Sequence, residues 1–186
     1  MANNRATFQL RPAIIADVPD LQTLIAESVR SLAVGDYSTE QIEAALDGAW
    51  GVDTQLIRDS TYFVAEAGGE IVGCGGWSFR QTLFGGDALA NREPARLDPQ
   101  RDPARIRAFF VRPDWARLGI GSALLERCEQ EARHHGFKAA ALVATLPGER
   151  LYRALGYVSE GRLNHPLPQG RTIEFVSMRK PLLPEG

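Results

Sequence analysis

The chain has 186 residues, 44% of them hydrophobic and 24% charged, and a formal net charge of −2. This suits a single soluble globular domain and speaks against a nucleic-acid binder, whose electrostatic footprint is a basic face. No stretch approaches the roughly 18 apolar residues of a membrane span and the N-terminus has no apolar signal core, so a cytoplasmic protein without membrane or nucleic-acid partners is expected.

Phe8 and Leu10 alternate with polar neighbours, which predicts a first strand over 7–12. Asp17 offers an N-cap to a helix carrying Val18, Leu21, Leu24, Ile25 and Val29 on one face. Ser38 followed by Gln41 forms a capping-box pattern ahead of Ile42, Ala45 and Leu46. A further short turn is expected over 53–59. Tyr62–Ala67 and Ile71–Phe79 read as strands joined by a hairpin at Gly68-Gly69, with Trp77 in the core. Residues 80–104 break the pattern with Gly85-Gly86-Asp87, Pro94, Pro99 and Pro103, and a loop of that length inside a compact domain is usually functional or disordered.

Arg105–Val111 restores a strand. Ile120, Ala123, Leu124, Cys128 and Ala132 then form a helical stripe closed by Gly136 at C′. Cys128 and Cys74 read as reduced packing residues, not as a disulfide or metal pair. Ala139–Thr145 is a strand. Leu151 and Leu155 mark a short helix ended by Gly156. Val158 opens a strand region, and Ile173, Phe175, Val176 and Met178 give the last strand. His165 is expected in a loop. The order predicts an α/β fold with a mixed sheet and helices on both faces.

The chemistry concentrates where the strand ending at Val111 hands over to the helix starting near Ile120. Gly119 and Gly121 allow close approach to the backbone, and a helix start presents unpaired N–H groups at the positive end of its dipole. Such a site suits a pyrophosphate. A P-loop would need a Gly-Lys pair that is absent. A dinucleotide fingerprint would need Gly or Ala where Leu124 stands.

The segment VRPDWARLGIGSALL resembles the acetyl-CoA pyrophosphate loop of the GNAT (GCN5-related N-acetyltransferase) superfamily through Val111, Pro113, Trp115, Gly119 and Gly121. About 25 residues on, ERLYRALGY resembles that family's second motif through Leu151, Tyr152, Gly156 and Tyr157. The resemblance runs over roughly residues 7–180. It implies one acyl-CoA N-acyltransferase domain over 1–186, with a mostly antiparallel twisted sheet, and acetyl-CoA as co-substrate without a metal. It also implies an acetyl transfer to a primary amine of a small molecule or peptide in a ternary complex. A homodimer is a common state of the family. The backbone of Leu118, Gly119, Ile120, Gly121 and Ser122 would hold the pyrophosphate, with Arg117 beside it. Phe110 and Val111 would pair with the pantetheine arm, and Tyr152 would be the general acid.

Some positions depart from the family pattern. Ala116 replaces a common Gln or Arg, and Thr145 and Gly148 replace a common Asn and Ala. Arg105 stands where some members carry a Glu base, which excludes a carboxylate there. This leaves open a non-catalytic acyl-CoA-binding module with the same fold. Tyr37, Arg80, Asp87 and Arg107 are candidates for acceptor contact, and His165 for a base. Arg101, Arg105, Arg107 and Arg112 could attract phosphates of CoA or an acidic substrate, but most of them read as a solvated face.

Overall fold

The computed structural model describes residues 7–82, 85–87 and 95–182. Seven strands form one sheet in the order β1-β2-β3-β4-β5-β7-β6. They are β1 (Gln9–Pro12), β2 (Tyr62–Ala67), β3 (Glu70–Ser78), β4 (Ala104–Val111), β5 (Ala139–Thr145), β6 (Val158–Pro166) and β7 (Thr172–Pro181). The helices are α1 (Val18–Leu32), α2 (Thr39–Leu46), α3 (Thr54–Arg58), α4 (Ile120–His134) and α5 (Leu146–Ala154). Among the described residues no helix is long and apolar enough to cross a membrane.

Side-chain alternation along the strands feeds two separate cores, as the period of two requires. Phe63 and Ala65 of β2, Trp77 of β3 and Met178 of β7 pack with Leu124, Leu125 and Cys128 of α4 on one face. Tyr62 and Val64 of β2 and Cys74 of β3 pack with Leu21, Leu24 and Ile25 of α1 on the other. Ile173 and Phe175 of β7 extend that second face with Val29, Ile42 and Trp50. Helices therefore cover both faces, and α4 sits close because Gly73 leaves room. A Cβ there would stand 2.5 Å from Ile120 Cγ2.

Neighbouring strands are antiparallel except β4 and β5. Those two run parallel and pair only at Ala104↔Ala140 and Arg105↔Ala141. Beyond that point they part, and the sheet opens between them.

Several local expectations hold. Ser38 Oγ accepts from Gln41 N at 3.2 Å, and Gln41 Oε1 accepts from Ser38 N at 2.9 Å. Gly136 has φ +85° past the end of α4. Both cysteines are free and buried, and Trp77 is buried.

Others change. Asp17 stands at the N-cap of α1 without capping it through its side chain. Its carboxylate is taken by Arg11 at 2.8 and 3.0 Å and by Ile14 N at 2.9 Å. His165 lies in β6, paired with Ile173, because that strand continues to Pro166. The amphipathic stripe of α4 also buries Glu129, whose oxygens meet Lys180 Nζ at 2.8 and 2.9 Å. Of the irregular stretch 80–104, residues 83–84 and 88–94 lie outside the described residues. Its described ends are tied down by a bridge between Arg80 and Arg96 and by a hydrogen bond from Leu97 N to Phe79 O.

Candidate active site

The gap between β4 and β5 is occupied by a cleft of about 670 Å³. Its walls come from both faces of the sheet. At one end lie Arg117, Gly119, Gly121, Ser122, Arg150 and Leu151, and at the other Val29, Leu32, Trp50 and Phe175. Phe109, Phe110 and Val111 of β4 and Tyr152 of α5 line it as well.

The first end is shaped by backbone. Arg117 has φ +64° and Gly119, the N-cap of α4, has φ +90°. The chain thus turns sharply before the helix, and no side chain caps the helix start. Its first N–H groups have no intrahelical acceptor and carry partial positive charge. Gly121 keeps this end open, since a Cβ would stand 2.9 Å from Leu151 Cδ2. Arg117 and Arg150 add formal charge of the same sign. The arrangement fits a polyanion such as the pyrophosphate of coenzyme A.

β4 carries an irregularity beside the cleft. Cys74 pairs with Phe110 and Gly76 with Arg107, so Ala108 and Phe109 both oppose Gly75. This is a bulge, which bends the strand and re-aims its side chains. Ala108 adopts φ +58°, an uncommon conformation for a residue with a Cβ. Two features fix it. Tyr62 Oη donates to Ala108 O at 3.2 Å. A Cβ on Gly75 would stand 2.8 Å from the Phe109 ring.

Tyr152 is buried beside the gap. Its ring meets Phe109 and Tyr157 edge-on at 6.2 and 5.7 Å. Burial, with a smaller contribution from Cys128, holds its phenol well above the ordinary range. The helix bearing it is started by Thr145, whose Oγ1 accepts from Gly148 N at 3.1 Å. The two residues that depart from the family pattern here therefore cap α5 together.

The candidate residues separate clearly. Phe110, Val111, Arg117, Gly119, Gly121, Ser122, Tyr152 and Arg107 all line the cleft. Ile120 turns its side chain into the core, and Leu118 is exposed at the surface. The structure does not bring Tyr37, Arg80 or Asp87 into the cleft lining. Tyr37 is buried, and its hydroxyl donates to Glu174 O at 2.6 Å and accepts from Leu146 N at 2.9 Å. Burial pushes that phenol up to about 12. Arg80 is held by Asp59 at 2.7 and 2.8 Å. Asp87 accepts from Thr54 N and Oγ1 at 2.9 and 3.0 Å, so it serves the start of α3. His165 faces Phe175 from β6 and does not line the cleft. Arg105 does not line it either.

Arg107 is more buried than a solvated face would have it. Its Nη1 meets Asp53 Oδ2 at 2.7 Å, and its Nη2 donates to Gly85 O at 2.6 Å. Asp53, the N-cap of α3, also accepts from Gln55 N at 3.0 Å. Sequence reasoning missed Asp53, Trp50, Phe175 and Arg150. Asp53 before Thr54 carries a helix-cap signal, but its distant partner leaves no local trace. Arg150 stands beside the Leu151-Tyr152 motif and was legible there.

The acetyltransferase (GNAT) family model matches residues 26–157. The chain is 28% identical over 173 residues to a protein of Azospirillum brasilense named IAA acetyltransferase, covering 90% of this chain and 97% of that one. A GCN5-related N-acetyltransferase from Rhodopseudomonas palustris superposes with a TM-score of 0.70 at 22% identity, covering 94% and 96% of the two chains. The PaiA N-acetyltransferase of Thermoplasma acidophilum, solved in complex with coenzyme A, superposes with a TM-score of 0.63 at 14% identity, covering 94% and 99%. With the open sheet, the glycine-bounded helix start and the tyrosine motif already in place, the match establishes that the chain belongs to the GNAT family of N-acetyltransferases.

Proposed function

We propose that the protein transfers the acetyl group of acetyl-CoA to a primary amine of a small molecule or peptide, by direct attack within a ternary complex. The observation that carries this reading is the parting of β4 from β5. It lets a cleft reach from the bare N-terminus of α4 to an apolar chamber on the other face. Two substrates can then meet inside the sheet.

The amide and guanidinium donors at 117–122 and 150 would hold the pyrophosphate. The β4 backbone at Phe110 and Val111, set by the bulge at Ala108, would align the pantetheine arm and offer hydrogen bonds to the thioester oxygen. The amine nitrogen attacks the thioester carbon, and the C–N bond forms as the carbonyl oxygen takes up charge. Collapse breaks the C–S bond. The sulfur takes the Tyr152 proton, and the amine proton leaves to water, which then restores Tyr152. Holding the reactants in register can lower such a barrier by about 7–11 kcal/mol. An elevated Tyr152 pKa keeps the phenol protonated at neutral pH, as an acid requires.

Isothermal titration with acetyl-CoA tests the first half, and release of CoA thiol in the presence of amines tests the second. Micromolar binding together with amine-dependent thiol release is expected. Absence of acetyl-CoA binding by the folded protein would sink the reading.

A further inference from the structure

We infer that the acceptor is an amine carried on an apolar body, aromatic or branched aliphatic, which enters the cleft as the neutral amine; this rests on the transferase reading above. The acceptor could be a free arylalkylamine or a peptide beginning with an aromatic residue, since the recognising chemistry is the same.

The chamber opposite the α4 N-terminus is walled by Val29 and Leu32 of α1, Trp50, Phe110, Val143 and Phe175. Trp50 and Phe175 face each other at 6.5 Å with their planes tilted by 58°. Tyr37 backs Trp50 at 5.8 Å, and its hydroxyl is held at both ends. The aromatic wall is thus rigid before any ligand arrives. A second ring can join a tilted aromatic pair at little cost in order. Leu32, 41% exposed, marks the rim. Pockets of this kind draw affinity from apolar contact and leave orientation to a few polar groups.

Charge points the same way. Arg107 on the chamber wall is matched by Asp53 at 2.7 Å, so that pair presents no net charge. Arg117 and Arg150 stand at the other end, where the pyrophosphate would engage them, and among the described residues the cleft lining holds no Asp or Glu. A diamine or polyamine would meet an apolar wall with no carboxylate to receive its second ammonium. An amine on a phenyl-like body would bury its ring and lose its proton readily, because desolvation disfavours the ammonium form. The neutral form is also the nucleophile.

The test is titration of 2-phenylethylamine, putrescine and the tripeptide Phe-Ala-Ala-amide into the CoA-saturated protein. It is repeated with Trp50→Ala and with the rim variant Leu32→Asp. We expect 2-phenylethylamine or the peptide to bind at least about 10-fold more tightly than putrescine, as burial of a phenyl group implies. Trp50→Ala should erase most of that gap, and Leu32→Asp should narrow it by improving putrescine. The probe that binds names the source, free amine or peptide terminus. Putrescine binding as tightly as either aromatic probe would overturn the inference. So would an aromatic preference untouched by both substitutions. Aromatic binding, with no thiol released when acetyl-CoA replaces CoA, would instead defeat the transferase reading and leave the chamber's preference standing.

Discussion

The Arg107 guanidinium and the Asp53 carboxylate meet at 2.7 Å with side-chain exposures of 5% and 4%. The contact joins β4, one residue before its bulge, to the start of α3. Through Gly85 O it also joins the described part of the irregular stretch. Gly51 and Gly85 both line the cleft, and Asp87 N donates to Val52 O at 2.9 Å, so the pair fixes one cleft wall against another. Breaking a buried pair leaves an uncompensated charge and costs about 3–5 kcal/mol. Arg107→Met should therefore lower unfolding stability by that amount in urea titration. The double variant Asp53→Asn with Arg107→Met should recover part of it, since Asn still caps α3. A single variant as stable as the parent would show that the pair contributes nothing.

Tyr152 gives a second prediction. Tyr152→Phe keeps the ring contacts with Phe109 and Tyr157 and removes only the hydroxyl. Loss of a general acid lowers kcat by about 10²–10⁴-fold. Acetyl-CoA affinity should not change. Because burial raises the Tyr152 pKa, the phenol stays protonated through neutral and mildly alkaline pH. The wild-type kcat/KM should then rise with pH as the acceptor amine loses its proton, with no falling limb near the ordinary tyrosine value of 10. A falling limb near that value which vanished in Tyr152→Phe would show that burial does not raise the phenol, and one that persisted in Tyr152→Phe would belong to another group.

A third concerns how α4 meets the sheet. Gly73→Ala places a Cβ against Ile120 Cγ2, the first residue of α4. Overpacking of this kind costs about 1–3 kcal/mol. The shift would also displace the α4 N-terminus, so acetyl-CoA should bind more weakly. Adding Ile120→Ala removes the clashing methyl and should restore binding more than stability. Unchanged acetyl-CoA affinity in the Gly73 variant would mean that the helix start is not part of the binding site.

What could be read from sequence was local. The capping box at Ser38, the glycine-bounded start of α4 and the tyrosine motif on α5 each lie within a few residues of chain. Periodicity likewise gave the strands and the apolar helix faces. The aromatic chamber of the cleft is different. Tyr37 and Glu174, 137 positions apart, meet only because β7 lies at the centre of one sheet half. Arg107 could be seen as an arginine near the cleft but not as Asp53's partner. Polar residues in turns, such as Asp87, offered the same signal whether they met ligand or backbone. The bulge at Ala108 has no composition cue at all, since alanine does not favour positive φ.

Asp17 gives a prediction about pH. The hydrogen bonds from Arg11 hold its carboxyl below the ordinary value of 3.8, against the opposing effect of burial. A depressed folded value means that the unfolded chain binds the proton first. The stabilisation is therefore present above 3.8 and fades as pH falls through the folded value. Asp17→Asn should cost about 1.5–3 kcal/mol at neutral pH, as hydrogen bonds to a charged partner do. The difference from wild type should shrink below pH 3.8. Denaturant melts at several pH values would check it, and a gap that widens in acid would reverse the assignment.

The last prediction addresses the turn before α4. Gly119 holds φ +90°, and no heavy atom lies within 4 Å of where its Cβ would be. Space is therefore not the constraint at Gly119, and conformation is. Gly119→Ala should lose about 1–2 kcal/mol, since an L side chain resists that region. Gly121 is the opposite case, with ordinary helical geometry but Leu151 Cδ2 at 2.9 Å from a Cβ. Gly121→Glu should fold, because the leucine tip can move, yet place a carboxylate where an anion is proposed to sit. Acetyl-CoA titration should show weakened binding for the first variant and none for the second. Gly121→Ala should fall between wild type and Gly121→Glu, which separates the effect of charge from that of bulk. Equal affinities across all three variants would move the pyrophosphate away from this helix start.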